Sequence, residues 1–323
     1  MMRAFLAAVG ILAFLLGGAA VLAYWTLDAP GPLAAARAIV VPHGGIEPVA
    51  AALARDSVIS SPRALQLAVL ATRGQGSLHA GELEFPAGAS LRQVLGVLRT
   101  ARPVQHRVTI PEGWTAAQIA LLLDRAPALD GDPVLPPEGA VLPETYAYER
   151  GTTRVALVER GTRAMERALD RAWANRSPDL PLATPQEALV LASIVERETG
   201  KAEERPHVAA VFLNRLRRGM KLQSDPTVAY GASGGLGTLD HGLTRRELER
   251  DDPYNTYRIA GLPPGPISTP GLAALRAVTD PMLSDDLYFV ADGSGGHVFA
   301  RTQDEHLRNV ARWREVERAR LSR

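Results

Sequence analysis

The sequence predicts an α+β protein: an apolar N-terminal helix, a small mixed α/β module, and a mainly helical domain that carries a β-hairpin. Three observations predict it. The run from Ala4 to Trp25 has no charged residue and is long enough to cross a bilayer, which takes about 20 apolar residues. From Ala35 to about Pro111, short alternating segments are interspersed with segments of helical spacing. Beyond residue 146 helical spacing dominates, until two strand-like segments flank Gly293-Ser294-Gly295-Gly296.

The run Ala4–Trp25 ends in Tyr24-Trp25, an aromatic pair suited to a membrane interface. Arg3 precedes it, Asp28 follows it, and no further basic residue comes before Arg37, so the positive-inside rule expects residues 4–25 to anchor the chain in the lipid bilayer with its N-terminus in the cytoplasm. A cleaved signal peptide, cut near Gly17-Gly18-Ala19-Ala20, is the alternative. The run exceeds the usual apolar core of about 7–15 residues, which favours the anchor. Either way the bulk of the chain is expected outside the cytoplasm.

Residues 29–111 follow as the small module. Helices are expected at Glu47–Leu53 and Pro62–Ala71, and at Ser90–Leu98 with Ser90 as cap. Leu83 and Phe85 alternate with Glu82 and Glu84 as in a half-buried strand, and Val104, Val108 and Ile110 mark another. Residues 112–145, rich in Pro, Gly and Asp from Ala126 on, read as a connecting segment.

Residues 146–323 form the main domain. Val155, Val158, Met165 and Leu169 fall at helical spacing. Thr184-Pro185-Gln186-Glu187 reads as a capping box opening a helix that runs to about Thr199, with Gly200 as terminator. Val208, Val211, Phe212 and Leu216 mark the next helix, ending at Gly219. Leu287–Ala291 and His297–Ala300 are the hairpin strands, and Thr302 with Glu305 caps a charged final helix.

Composition excludes several chemistries. The 323 residues are 46% hydrophobic and 22% charged, ordinary for a globular chain of about two domains. With 36 Lys+Arg against 35 Asp+Glu, the net charge of +1 gives no footprint for nucleic acid. The absence of cysteine removes disulfides, thiolate nucleophiles and Cys-ligated metals. No P-loop or His-Glu-x-x-His is present. Gly231-Ala232-Ser233-Gly234-Gly235 has the letters of a nucleophile elbow, but its glycine-rich surroundings read as a loop. His297 and His306 lack the spacing of a metal pair, so no metal site is expected.

The stretch Leu191–Gly200 carries the chemistry. On a helix, Glu198 shares a face with Leu191, Ile194 and Val195 and sits in the C-terminal turn. Desolvation and the negative end of the helix dipole both keep such a carboxyl protonated. A neutral carboxylic acid near pH 7 is what protonation of a glycosidic oxygen requires. Spacing alone still leaves a solvated terminal-turn glutamate as the commoner reading. Glu196 points roughly 160° away and suits an ion pair behind the acid. Three further segments carry aromatic, amide and hydroxyl groups suited to sugar rings: Leu222–Thr227, Tyr254–Tyr257, and the proline run Gly261–Ile267, which would stiffen a groove wall. Taken singly, each also reads as a structural turn.

In order along the chain, Ala192–Thr199, Val208–Leu216, Leu222–Gly231, Tyr254–Tyr257, Gly261–Ile267, Leu287–Gly293, Gly296-His297 and Phe299 resemble the YceG-like family of endolytic murein transglycosylases. The N-terminal anchor fits too, and Leu78–Leu98 resembles the family's LysM-like module, although that module shows no clear sugar-binding signature here. The resemblance implies cleavage of the β-1,4 bond between N-acetylmuramic acid and N-acetylglucosamine within nascent peptidoglycan strands. The product is a 1,6-anhydromuramyl end, formed without water, and the event terminates glycan polymerisation.

The family's catalytic glutamate falls on Glu198. The glycan strand is expected against Gln223, Asp225, Thr227, Tyr254, Asn255 and Tyr257. Glu196, Asn214 and His297 are expected one layer behind them. No cofactor is implied; the partners are peptidoglycan glycan strands, the inner-membrane bilayer and, as candidates, cell-wall synthases. Two alternatives stay open: a hydrolase pairing Glu198 with Asp225, and a non-catalytic peptidoglycan-binding scaffold.

Overall fold

The apolar run folds as one continuous helix, α1 (Met2–Leu27). Its segment Val9–Leu27 has a mean hydropathy of 1.9 over 19 residues, long and apolar enough to cross a membrane. Phe14 and Trp25 are 81% and 67% exposed on it. The structure is a computed structural model. It describes residues 2–321, without the side chains of residues 3–8, 23 and 319–321, so the charge on Arg3 that would orient the span lies outside the described residues.

The chain divides into two compact units, one reaching from the N-terminus to His106 and including Tyr148–Gly151, the other comprising Arg107–Ala147 and everything from Thr152 on. In the first, strands β1 (Arg37–Val41) and β2 (Gly81–Phe85) pair antiparallel with Ile39 opposite Leu83. Between them lie helices α2 (Ile46–Arg55) and α3 (Pro62–Ala71), and α4 (Leu91–Thr100) follows under a capping box of Ser90 and Gln93. Leu53, Leu65, Leu83, Phe85 and Leu98 make the fully buried centre, each contributing roughly 1.5–3 kcal/mol.

The simple alternation expected of β2 fails at Glu82, which is buried. Its carboxylate meets His106 Nε2 at 2.6 Å and Arg150 Nε at 3.1 Å. Burial works against that charge, but the Arg150 and His106 hydrogen bonds prevail and hold the carboxyl below its ordinary range. A period-2 reading sees polar letters and cannot see partners 24 and 68 residues away.

The second unit contains all of residues 112–145, which the sequence suggests as a connection. Strand β3 (His106–Thr109) leads into α5 (Ala116–Arg125), capped by Thr115 and Gln118. The short strand β4 (Leu129–Asp130) pairs parallel with β6 (Thr152–Thr153), and β5 (Thr145–Tyr148) pairs with β3. The long helix α6 (Arg154–Ala174) then precedes α7 (Pro185–Glu198) and α8 (Arg205–Arg217). Helices α9 (Asp225–Ala232), α10 (Arg245–Glu249) and α11 (Leu272–Thr279) follow. Strands β7 (Tyr288–Ala291) and β8 (His297–Ala300) pair antiparallel before the final helix α12 (Gln303–Leu321).

Helix α7 is the axis of this unit, packed by α6, α8, α9 and α11. The sequence suggests one apolar face, yet every residue from Ala188 to Glu196 is buried. A helix enclosed on all sides must satisfy its polar residues internally. Ser193 Oγ donates to Val190 O and accepts from Ile267 N at 3.0 Å, and Ser268 Oγ donates to Ser193 O. The stretch following the proline run is thus a brace on the middle of α7, with Ile267, Ser268 and Thr269 buried.

The N-terminus of α7 departs from the expected capping box. Thr184 Oγ1 accepts from Glu187 N, but the Glu187 carboxylate reaches Ala183 N at 2.6 Å, one residue further back. At the other end α7 stops because Thr199 turns extended (φ −136°), not through a left-handed glycine at position 200.

Candidate active site

Glu198 is the last residue of α7. Leu191, Ile194 and Val195, the neighbours expected on its face, are fully buried, and they hold that turn so that the side chain emerges half-buried at the helix end. It opens on a cavity of about 270 Å³ whose walls are Glu198-Thr199-Gly200, the β7–β8 turn and Trp313. Desolvation raises the Glu198 carboxyl from an ordinary 4.5 to about 7. The hydrogen bond from Ser224 opposes the rise, the negative charge of Asp225 adds to it, and the Arg215 guanidinium opposes it. One edge reaches the cavity while the rest is packed in protein, which suits a group that must stay neutral and still meet a ligand.

The segment expected as a loop around Gln223–Thr227 instead opens α9, with Ser224 at the N-cap position. Ser224 is clamped on all sides. Its backbone N–H donates to Thr256 Oγ1 at 2.9 Å, and its carbonyl accepts from Thr227 Oγ1 at 2.7 Å. Thr227 and Thr256 hydroxyls are themselves 2.9 Å apart. The Ser224 hydroxyl makes no cap bond and donates to Glu198 Oε1. Just before it, Gln223 adopts φ +51°, a left-handed backbone that costs a non-glycine residue about 1–2 kcal/mol and is held by Gln223 N donating to Thr256 O.

Asp225 is exposed beside this pair and accepts a 2.6 Å hydrogen bond from the Tyr257 hydroxyl. Burial and the Asp225 charge push the Tyr257 hydroxyl's pKa well up, so it stays a donor. Arg215, 7% exposed, reaches under the site: Nε donates to Leu287 O and Nη1 to Leu222 O, each at 2.6 Å. It ties α8 to the segment before α9 and to the start of the hairpin while placing its charge near Glu198.

The structure therefore gathers Glu198, Gln223, Asp225 and Tyr257 and separates others expected with them. Asn255 is 1% exposed; its amide donates to Glu247 O, Leu248 O and Arg250 O, and its Oδ1 accepts from Tyr257 N. It closes the C-terminus of α10 and faces inward. Thr227 is fully buried in the hydroxyl clamp. Tyr254 lies 4.8 Å from the Tyr230 ring, whose hydroxyl donates to Glu138.

Behind the acid, the Glu196 carboxylate meets Arg205 at 2.8 Å and accepts from Gly271 N at 2.9 Å. Asn214 donates to Ser284 O and Asp286 O, fixing the approach to β7. His297 Nδ1 meets the Glu204 carboxylate at 2.7 Å, which also accepts from Thr199 Oγ1 and His297 N. Glu204 thus ties the residue after the acid to the hairpin. Burial works against its charge, but the His297 and Thr199 hydrogen bonds hold its carboxyl below the ordinary range.

Two residues escaped the sequence reading, Ser224 and Arg215. Ser-Asp-Pro signals a helix start, and nothing local tells that the serine gives up its cap. Arg215 looks like one of many surface arginines until burial is known. The remaining chemistry-like motifs resolve into structure. Ser233 Oγ donates to Tyr230 O at the end of α9, His306 stacks on Tyr288 at 5.1 Å, and among the described residues no cluster of His, Asp and Glu could hold a metal ion.

This arrangement has relatives. The curated endolytic murein transglycosylases of two Streptococcus pneumoniae strains are each 34% identical over 251 residues, covering 65% of this chain and 45% of theirs, so the chain spans less than half of their length. The endolytic murein transglycosylase of Bacillus subtilis is 28% identical over 306 residues, covering 83% of this chain and 82% of its own. A crystal structure of a YceG-like protein from Listeria monocytogenes superposes with a TM-score of 0.52 at 27% identity, covering 84% of this chain and 98% of that one. The YceG-like family model matches residues 39–312. On that span, which holds every residue of the clamp around the half-buried acid, the chain belongs to the YceG-like family.

Proposed function

We propose that this chain is an endolytic lytic transglycosylase, a lyase that cleaves the β-1,4 bond between N-acetylmuramic acid and N-acetylglucosamine within nascent peptidoglycan strands. The observation that carries the reading is Glu198: one carboxyl, raised to about 7, hydrogen-bonded by Ser224 and open to a cavity. The names of the three curated relatives and the ordered motifs support the substrate class.

One carboxyl serves both halves of the reaction. Glu198 gives its proton to the glycosidic oxygen as the bond to muramyl C1 breaks. The resulting carboxylate takes the proton from the muramyl 6-hydroxyl, whose oxygen attacks C1 to close the 1,6-anhydro ring. The glutamic acid is regenerated and no water is consumed. Ser224 steadies the carboxylate midway, and the Arg215 charge favours the same state. Gln223, Asp225 and Tyr257 are the proposed contacts to the strand.

Asp225 favours a second reading, a hydrolase in which it activates water opposite Glu198, since its charge is felt at that carboxyl. Mass spectrometry of digests of purified glycan strands separates the two: anhydro ends support the transglycosylase, reducing ends the hydrolase, and intact strands a binding scaffold.

The proposal extends to organisation. The β1–α2–α3–β2 order with its antiparallel pair supports a LysM-like module within residues 29–111. α1 supports a retained single-pass anchor in the inner membrane, N-terminus inside, with residues 146–323 as the catalytic domain on the periplasmic side. Cell-wall synthases growing the same strand are proposed partners, and the cut would end their polymerisation.

A further inference from the structure

The cavity beside Glu198 has an aromatic wall. Trp313 lines it together with the end of α7 and the β7–β8 turn, and it lies one residue beyond the span matched by the family. Among the described side chains of α12 it is the one Trp, Tyr or Phe, flanked by Arg312 and Arg314 and only half-buried.

Its placement follows from helix and strand geometry. His306 stacks on Tyr288 at the start of β7 (5.1 Å, 22° between planes), and Asn309 on the same face of α12 is 8% exposed. Trp313 is two turns beyond His306 on that face, about 10.5 Å further along the axis. From Tyr288 to Ala291 strand β7 advances about 10 Å. α12 packs along both hairpin strands, so its indole arrives level with the hairpin turn. That turn is held still: Glu204 binds His297, and Asp292 accepts from Ser294 N and Gly296 N.

Four of the cavity's nine lining residues carry no side chain. Gly200, Gly293, Gly295 and Gly296 line the cavity, and a Cβ at Gly200 or Gly295 would meet nothing within 4 Å. The result is an open slot lined by both an indole and a neutral carboxylic acid. A pyranose matches it, with a flat C–H face for the ring and a hydroxyl rim for the polar wall.

We propose that Trp313 is a substrate-binding residue, the stacking platform for a sugar ring of the glycan strand adjoining the bond that Glu198 breaks. The inference rests on the glycan-cleaving reading of the site. It assigns Trp313 to holding the strand and leaves proton transfer to Glu198. Truncating the ring should therefore weaken binding more than turnover.

The test uses the full chain in detergent with purified glycan strands, and product ends read by mass spectrometry. Trp313→Ala should raise KM about tenfold with kcat changed less than about threefold, and Trp313→Phe should stay within about threefold of the parent in KM. Binding is read separately in Glu198→Gln protein labelled with 5-fluorotryptophan. There the Trp313 fluorine resonance, assigned by its loss in Trp313→Phe, should shift on titration with strands. This arm does not depend on the alanine variant folding or on turnover. An unchanged KM in folded Trp313→Ala, or a Trp313 resonance that does not move while strands bind, overturns the subsite. Parent protein that binds strands through Trp313 but leaves them uncut would sink the enzymatic reading and leave the platform standing. Parent protein that makes anhydro ends with an indifferent Trp313 does the reverse.

Discussion

Ser224 donates its hydroxyl hydrogen to Glu198 from the position where a serine ordinarily caps a helix. Giving up a cap costs about 1 kcal/mol, and α9 bears that cost at its first turn. The Thr227–Thr256 hydroxyl pair explains how: it fixes the serine's backbone from both sides, so only one direction remains for its side chain. Ser224→Ala should leave the Glu198 carboxylate without a hydrogen-bond donor. Turnover should fall about tenfold, by the loss of a hydrogen bond to a charged group. Because that bond lowers the carboxyl's pKa, the alkaline limb of the pH–rate profile should move to higher pH. A limb that stays put in active Ser224→Ala protein contradicts the assignment.

Glu198→Gln keeps shape and hydrogen-bonding capacity but removes the transferable proton. General acid–base catalysis contributes about 10²–10⁴-fold, and in the proposed mechanism one group serves both steps, so the loss should lie at or beyond the upper end. Counting anhydro ends in digests checks it. Normal production of them by the variant would remove Glu198 from the chemistry.

Titration of the same residue predicts two pH dependences. The free enzyme needs Glu198 protonated, so kcat/KM should fall above about pH 7. With one carboxyl as acid and then base, no acid-side limb from a second carboxylate is expected. A bell-shaped profile would favour the hydrolase, which needs a second carboxylate in its charged form. For stability, the folded state keeps a proton that the unfolded chain releases above about 4.5. The stabilisation is complete below that pH and is lost as pH rises through about 7, roughly 3 kcal/mol in all. Chemical denaturation of parent and Glu198→Gln protein across pH 4–8 should show this slope only in the parent.

Asn255→Ala should act on the fold. Three carbonyls at the end of α10 lose their donor, at about 1–3 kcal/mol, and the folded fraction should bind glycan strands with an unchanged KM. Tyr257→Phe should do the opposite, sparing stability and altering turnover through Asp225. If Asn255→Ala melts like the parent but binds strands weakly, the inward orientation of Asn255 is wrong.

Glu196→Gln removes the nearer charge partner of buried Arg205 and leaves it Glu112 at 3.5 Å. Stability should drop by about 1–3 kcal/mol, while anhydro ends still form below the new melting temperature. A folded but inactive Glu196→Gln enzyme would transfer the acid role from Glu198.

Elements whose causes are local were legible in the order of residues alone. Helical spacing, the threonine and proline at 184–185, and the glycines at 293–296 marked α7 and the hairpin, and the uncharged run marked α1. Three apolar neighbours at offsets of three, four and seven made Glu198 a candidate acid, and the order of the motifs around it, not the spacing, put it ahead of a plain solvated glutamate.

What surrounds that acid was set by packing between elements. Whether a glutamate at a helix end is neutral depends on desolvation by whatever packs around it, which a local pattern does not contain. The same folding turned Asn255 and Thr227 inward, buried Glu196 against Arg205 and aimed Ser224 at Glu198. Amides, hydroxyls and carboxylates are equally suited to a ligand and to a backbone carbonyl, and their letters do not tell which partner comes within 3 Å. Packing supplies that partner, so it chose which polar residues were left to face the cavity.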